Sequence, residues 1–542
     1  MVAPLPYDRP MALEFAHVDL SLRPPRVEIP RAYNAAHDLL DRHVIEGRGD
    51  RVAVIDDDGS WTYAQLAERA SRVGNALAAL GVEPEQRVMM AMLDTVDFPA
   101  VFLGAMKIGA VAVPINTLLA PDDYVYMLRD SRARLLVVSD ALLPKLMPAI
   151  EASPFLRGVV VARSPLGGDR GAYPSLDALI EQASPELSIY PTTSDDVAFW
   201  LYSSGSTGKP KGALHLHASP RWTSALYAQG VLGIRPDDVV FSAAKLFFAY
   251  GLGNSLSFPF AVGARVVLMA ERPTPASVMR TLKARQPTIF GGVPTLFAQI
   301  LADPKNDRAA GSSALRVSTS AGEALPQHVG ERWRERFGSD ILDGIGSTEM
   351  LHIFLSNVHG DIHYGTTGRA VPGYELKLLD DDGQLAADGV EGSLWVRGPS
   401  SCTAYWADRA RSLATFQGPW TRTGDRYVRD AQGYWTYCGR ADDMLKVGGI
   451  WVSPFEVESA LSAHDAVLEA AVVGKEDDEH LVKPKAFVVL KDARGASAEL
   501  AEQLRSFVKG SIAPYKAPRW IEFLPELPKT ATGKIQRFKL RR

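Results

Sequence analysis

The sequence predicts an α/β fold: a large N-terminal domain of two helix-flanked, mainly parallel sheets with a small antiparallel β unit, then a small α+β C-terminal domain. Three observations predict it. Much of the chain alternates short apolar runs with amphipathic helical stretches, the pattern of parallel strands joined by covering helices. At 542 residues the chain exceeds what one hydrophobic core organises. Residues 375–437 instead break into short β-like runs punctuated by Asp-Asp-Gly, Gly-Pro and Gln-Gly, as antiparallel hairpins do.

In chain order, a proline-rich arm precedes Thr62-Tyr63-Ala64-Gln65, which fits a helix capping box with Trp61 and Leu66 placed to staple the entry. Leu66, Ala70, Val73, Leu77 and Leu80 recur at helical spacing, and Gly81 is a natural stop. Strands are predicted over residues 88–93, 110–115 and 135–138, with a helix over 98–109. Residues 163–196, richer in Pro, Gly, Ser and Asp, are expected to run over the surface between two sub-sheets. Residues 197–202 read as a buried strand, and the alternation resumes over 239–320. The boundary falls near Arg440-Ala441-Asp442-Asp443. Beyond it Ser453-Pro454-Phe455-Glu456 starts a helix, with Ser453 as cap, Pro454 in the first turn, Glu456 closing the box, and Val452 and Val457 as the staple.

Composition narrows the function classes. With 46% hydrophobic and 23% charged residues the chain is typical of a globular enzyme. A formal net charge of -4 gives no reason to expect a nucleic-acid partner. The two cysteines, Cys402 and Cys438, form no metal-ligand cluster and fit a reducing compartment. The N-terminus has no signal-peptide core, and no apolar run approaches a membrane span, so a cytoplasmic location away from membranes is expected.

The chemistry concentrates in a few segments. Tyr202-Ser203-Ser204-Gly205-Ser206-Thr207-Gly208-Lys209-Pro210-Lys211-Gly212 follows the apolar run directly. Glycines let backbone amides approach an anion, while hydroxyls and lysines add donors and charge. That equips the segment to hold a triphosphate, although its spacing is not that of a Walker A loop. Gly344-Ile345-Gly346-Ser347-Thr348-Glu349 ends in a hydroxyl beside a carboxylate, suited to a phosphate oxygen and to the Mg²⁺ that accompanies ATP. In Thr423-Gly424-Asp425 the carboxylate can read two vicinal ribose hydroxyls. Lys534, in Pro528-Lys529-Thr530-Ala531-Thr532-Gly533-Lys534-Ile535, can place a cation between two anions that must react. Phe247-Phe248-Ala249-Tyr250-Gly251-Leu252-Gly253 and Met350-Leu351-His352-Ile353-Phe354 supply aromatic and branched side chains beside small ones, a slot for a flat ring.

These segments resemble the adenylate-forming superfamily of acyl-CoA synthetases, luciferases and peptide-synthetase adenylation domains. Residues 245–254 and 343–357 look closely like those of benzoate-CoA and hydroxybenzoate-CoA ligases. The resemblance implies a nucleotide site from Ser203, Ser204, Gly205, Ser206, Thr207 and Gly208, with Lys209 and Lys211. Gly322 and Glu323 in Ala321-Gly322-Glu323 would join it, as would Asp343, Gly344, Asp425 and Arg440. It assigns Thr348 to the α-phosphate, Glu349 to Mg²⁺ and Lys534 to catalysis of the first step. The acyl pocket would be lined by Ala249, Tyr250, Gly322, Ile345, Gly346, His352 and Ile353. His352 is either a hydrogen-bond partner for a ring substituent or a satisfied core histidine. A hinge at Asp442 is implied, dividing an adenylation domain (1–440) from a mobile domain (443–542) through residues 441–442. Rotation would replace Lys534 by Lys446, with Gly448 and Gly449 either passing the pantetheine arm or forming a plain hairpin turn. His217 matches a position that gates the site.

The activity so implied is an AMP-forming ligation of a small aromatic carboxylate to coenzyme A, with ATP and Mg²⁺, through an acyl-AMP. A medium-chain acyl-CoA synthetase and a stand-alone aryl-acid adenylation enzyme loading a carrier protein are the alternatives. A homodimer is left open.

Overall fold

The structure is a computed structural model describing residues 12–203, 209–441, 443–447, 450–477, 481–529 and 535–541. One six-stranded sheet runs in the order Lys211–Leu216, Val197–Ser203, Val111–Pro114, Arg87–Ala91, Leu135–Ser139 and Gly158–Ala162. All its pairs are parallel except the first, which is antiparallel. A nine-stranded sheet has a parallel centre, Asp340–Gly346, Val317–Ser320, Ile289–Gly292, Val239–Ser242, Arg265–Val267 and Val52–Ile55. Antiparallel strands flank that centre on both sides. The expected antiparallel unit is a five-stranded sheet from Glu375–Leu379 through Trp435–Arg440.

The capping box forms as read. Thr62 accepts from the Gln65 amide, and Gln65 answers the Thr62 amide, at the start of the helix Tyr63–Ala79. That helix buries Leu66, Ala70, Val73 and Leu77 in the same core as the helix Asp97–Lys107. Glycine makes the crossing close: a Cβ at Gly104 would stand 2.7 Å from the Ala70 carbonyl oxygen. The predicted strands fall within a residue or two of Arg87–Ala91, Val111–Pro114 and Leu135–Ser139. Residues 163–196 depart from expectation, because they include the helix Leu176–Gln182. Its Leu176 and Ile180, four apart on one face, are buried in the main core.

Beyond residue 443 the chain has its own core, in which Val452, Val457, Leu461, Val472, Val488 and Leu504 pack together. A three-stranded sheet, Val467–Glu476, Val482–Leu490 and Trp520–Phe523, mixes an antiparallel with a parallel pair. Ser453 caps the helix Pro454–Ser462 through the Glu456 amide at 3.2 Å. Glu456 does not close the box; its carboxylate is taken by the Lys516 ammonium at 2.6 and 2.7 Å. An ion pair at that distance outcompetes a neutral amide for the same oxygens. Among the described residues no helix is long and apolar enough to cross a membrane.

Candidate active site

The strands Val197–Ser203 and Lys211–Leu216 pair antiparallel with Ser203 opposite Lys211, on either side of the segment expected to hold phosphate. Ser204, Gly205, Ser206, Thr207 and Gly208 lie outside the described residues. On the returning side Lys209 sits 5.0 Å over the Tyr126 ring and Lys211 sits 4.5 Å over the Tyr405 ring. Burial pulls the Lys211 ammonium below its ordinary value, and the nearby Glu349 carboxylate works against that. The Arg440 charge also reaches Lys211, which puts these three side chains in one electrostatic neighbourhood.

Thr348 and Glu349 follow the strand Asp340–Gly346 in a turn held from three sides. His215 Nε2 donates to the Thr348 carbonyl at 2.8 Å, the Cys402 amide donates to the Glu349 carbonyl at 2.7 Å, and the Ser347 hydroxyl accepts from the Met350 amide at 3.2 Å. Burial lowers His215 to about 4, so its ring is neutral and its Nε2–H is a fixed donor. The Tyr405 hydroxyl donates to Glu349 Oε1 at 2.8 Å. Neither His215 nor Tyr405 was expected from sequence. His215 carried a signal, since it lies four residues after Lys211 on a strand and therefore on the same face; Tyr405 is 56 positions from its partner and carried none.

Tyr250 and His352 pack together on the wall of a cavity of about 960 Å³. Its wall includes Phe247, Phe248, Ala249, Tyr250, His352 and Ile353, then Gly322, Glu323, Gly346, Ser347 and Thr348. The Tyr250 hydroxyl and the Thr319 hydroxyl lie 2.6 Å apart. His352 packs against Tyr227, Tyr250 and Phe258, with ring centroids 5.4, 5.5 and 4.4 Å away. Its Nε2 donates to the Tyr250 carbonyl at 3.3 Å, and Nδ1 is buried without a hydrogen-bond partner among the described residues. Burial drives the imidazole down to about 3, so His352 is uncharged at neutral pH. Leu351, at φ 65, turns the chain between the Thr348–Glu349 turn and His352. Gly253 is needed here, because a Cβ on it would meet the His352 ring at 2.3 Å.

Two of the residues singled out in the sequence lie off this wall. Ile345 is not among the residues of this wall and packs against the apolar cluster that also includes Val371 and Ile353. His217 is buried with Nδ1 accepting from the Ala35 amide at 3.0 Å, a structural contact outside the wall. Asp343 and Gly344 are also outside it. Asp343 is buried in register with Ser320, just before Ala321, and burial pushes its carboxyl up to about 8. Asp425 and Arg440 face one another on paired strands, with an Arg440 nitrogen donating to Asp425 Oδ1 at 3.0 Å. Lys446 is opposite Trp451 in a short antiparallel pair. Asp442, Gly448, Gly449 and Lys534 lie outside the described residues. No group of three or more His, Cys, Asp or Glu gathers as a metal cage among the described residues. One carboxylate, Glu349, still suits Mg²⁺, which binds through one or two carboxylates plus substrate phosphates and keeps several waters.

An α/β sheet pair, a Ser/Gly/Lys hairpin and a Thr-Glu turn beside an aromatic cavity define a nucleotide-dependent enzyme of carboxylates. The chain belongs to the AMP-binding enzyme family: residues 41–406 match that family, and residues 456–534 match the AMP-binding enzyme C-terminal domain. It is 58% identical to the benzoate–CoA ligase of Thauera aromatica, over 96% of this chain and 98% of that one. It is 50% identical to a 4-hydroxybenzoate–CoA/benzoate–CoA ligase of Rhodopseudomonas palustris, over 94% of each. The crystal structure of the anthranilate CoA ligase AuaEII in complex with anthranoyl-AMP superposes with a TM-score of 0.91 at 44% identity, covering 94% of this chain and 97% of that one.

Proposed function

We propose that this chain is an ATP-dependent aryl-carboxylate CoA ligase of the benzoate or hydroxybenzoate type. The observation that carries the reading is a cavity whose wall holds Tyr250, a neutral His352 and Thr348, with Glu349 next to Thr348 in the chain. An aryl acid fits with its ring among Tyr250, His352 and Ile353 and its carboxylate toward Thr348. The high identity to ligases of benzoate and hydroxybenzoate supports the same substrate class.

In the first half-reaction a carboxylate oxygen attacks the α-phosphorus of ATP, the bond from that phosphorus to the α,β-bridging oxygen breaks, and pyrophosphate leaves. Lys209 and Lys211 supply positive charge at the phosphate loop, and Thr348 donates to an α-phosphate oxygen. Asp425, oriented by Arg440, reads the ribose. Glu349 would hold Mg²⁺, which supplies charge neutralisation on the phosphates when bound. Lys534 would orient the acid carboxylate and offset charge on the bridging oxygen. In the second half-reaction the CoA sulfur attacks the acyl carbon, its proton is lost to solvent, and AMP departs with the oxygen of the mixed anhydride. Residues 443–542 would turn about 441–442, exchanging Lys534 for Lys446 and bringing Gly448-Gly449 alongside the pantetheine arm.

The test is AMP release with benzoate, 4-hydroxybenzoate, 3-hydroxybenzoate, 2-aminobenzoate, cyclohexanecarboxylate and hexanoate, each with and without CoA. CoA-stimulated turnover of an aryl acid is the expected result. Preference for hexanoate would refute the pocket assignment, and AMP formation indifferent to CoA would point to a carrier-protein acceptor.

A further inference from the structure

The cavity is not closed by the large domain alone. Glu469, Pro525, Leu527, Pro528, Lys529 and Gln536 from the C-terminal part of the chain complete its wall. Lys529 and Ile535 bridge in antiparallel fashion, and the Gln536 amide donates to the Pro528 carbonyl at 2.7 Å. Lys534 is covalently adjacent to Ile535.

The pairing is anchored from two directions. Lys529 Nζ lies 2.6 and 2.7 Å from the two carboxylate oxygens of Glu469, on the strand Val467–Glu476. Glu469 Oε1 also accepts from Gln299 Nε2 at 3.1 Å. Gln299 belongs to the large domain, on the helix Pro294–Ala302. On that helix Thr295 and Gln299 are four residues apart and share a face. The Thr295 hydroxyl donates to Glu323 Oε2 at 2.9 Å, so the face that contacts the Ala321–Glu323 turn also reaches the C-terminal domain. The Glu469 side chain is only 10% exposed, and its charge is compensated by Lys529 and Gln299 together.

We propose that Gln299 and Glu469 are positioning residues for adenylate formation, holding the C-terminal domain, with Lys529 and Gln536 on the cavity wall, against the large domain. This rests on the reading of Lys534 as the cation of the first half-reaction. The two contacts differ in kind. Glu469–Lys529 lies within the C-terminal domain and travels with it, whereas Gln299–Glu469 crosses the seam and is lost when that domain turns. A hydrogen bond to a charged group made in only one arrangement favours that arrangement by about tenfold or more. Removing it therefore slows the first half-reaction and spares the second.

Benzoate-dependent ATP–pyrophosphate exchange and thioester formation from supplied benzoyl-AMP and CoA measure the half-reactions separately. Gln299→Ala is expected to lower exchange about tenfold and to leave thioester formation within twofold. Gln299→Glu, which sets a second carboxylate against Glu469, is expected to lower exchange further. Glu469→Gln loses charge at both contacts and is expected to follow the same pattern; if it fails to fold, the Gln299 pair decides. Equal losses in both half-reactions, or no loss in either with Gln299→Ala, would overturn the proposal. Lys534→Ala is the control: exchange that survives it would refute the assignment of Lys534 itself. Exchange abolished by Lys534→Ala but untouched by Gln299→Ala would refute the anchor alone.

Discussion

Replacing Tyr405 by phenylalanine removes one hydroxyl and leaves the ring in place. That hydroxyl donates to Glu349 Oε1 at 2.8 Å, while the ring keeps its place beneath Lys211 at 4.5 Å. The cation–π partner of Lys211 is thus preserved, and the hydroxyl's hydrogen bonds, to Glu349 and to Thr415, are lost. A hydrogen bond to a charged acceptor contributes about 1.5–3 kcal/mol net, which is roughly 10- to 150-fold in an equilibrium constant. Glu349 retains its backbone anchor from the Cys402 amide at 2.7 Å, so the lower end applies. The expected outcome is about a tenfold fall in kcat/KM for MgATP in benzoate-dependent pyrophosphate exchange. Direct MgATP titration without acid should weaken by a similar factor, and thioester formation from supplied benzoyl-AMP should stay within twofold. Unchanged MgATP affinity, or an equal loss in both half-reactions, would refute the positioning of Glu349 by Tyr405.

Other consequences are equally direct. Lys534→Ala should abolish adenylate formation and leave thioester formation from benzoyl-AMP largely intact, as read by exchange and by benzoyl-CoA production. Gly253→Ala would drive a Cβ to 2.3 Å from the His352 ring. Because that ring is enclosed by three aromatics, the overpacking should cost about 1–3 kcal/mol, seen as a lower thermal midpoint and a raised KM for the acid but not for ATP. His352→Phe should change the pH dependence of stability. The native imidazole resists protonation until about 3, whereas the unfolded one accepts a proton near 6.5. The wild type therefore loses stability through this group as pH falls below 6.5, and the variant does not. The difference in thermal midpoint, variant minus wild type, should rise between pH 7 and pH 4; parallel curves would contradict a buried neutral His352.

Local signals in the sequence were sufficient for much of the scaffold. The Thr62–Gln65 box, the strand before the phosphate hairpin and the Ser453 cap depend on neighbours within a few residues, and such patterns are printed in the chain order. Residues 163–196 hid a helix because its core-facing side chains, Leu176, Leu179 and Ile180, span little more than one turn. The site's supporting contacts were illegible for a different reason. His215 meets Thr348 across 133 positions, and Gln299 meets Glu469 across 170. Only the folded topology creates those pairs. The contacts of Ile345 and His217 were equally invisible, because a motif marks a segment while packing decides what each of its side chains touches.

The most direct test of the central claim is to follow the acyl group itself by mass spectrometry. Enzyme, MgATP and benzoate without CoA should form benzoyl-AMP and pyrophosphate. Adding CoA should convert the adenylate to benzoyl-CoA, with one AMP released per thioester. Benzoyl-CoA appearing with ADP and phosphate, or without a benzoyl-AMP that CoA consumes, would contradict the two-step adenylate account.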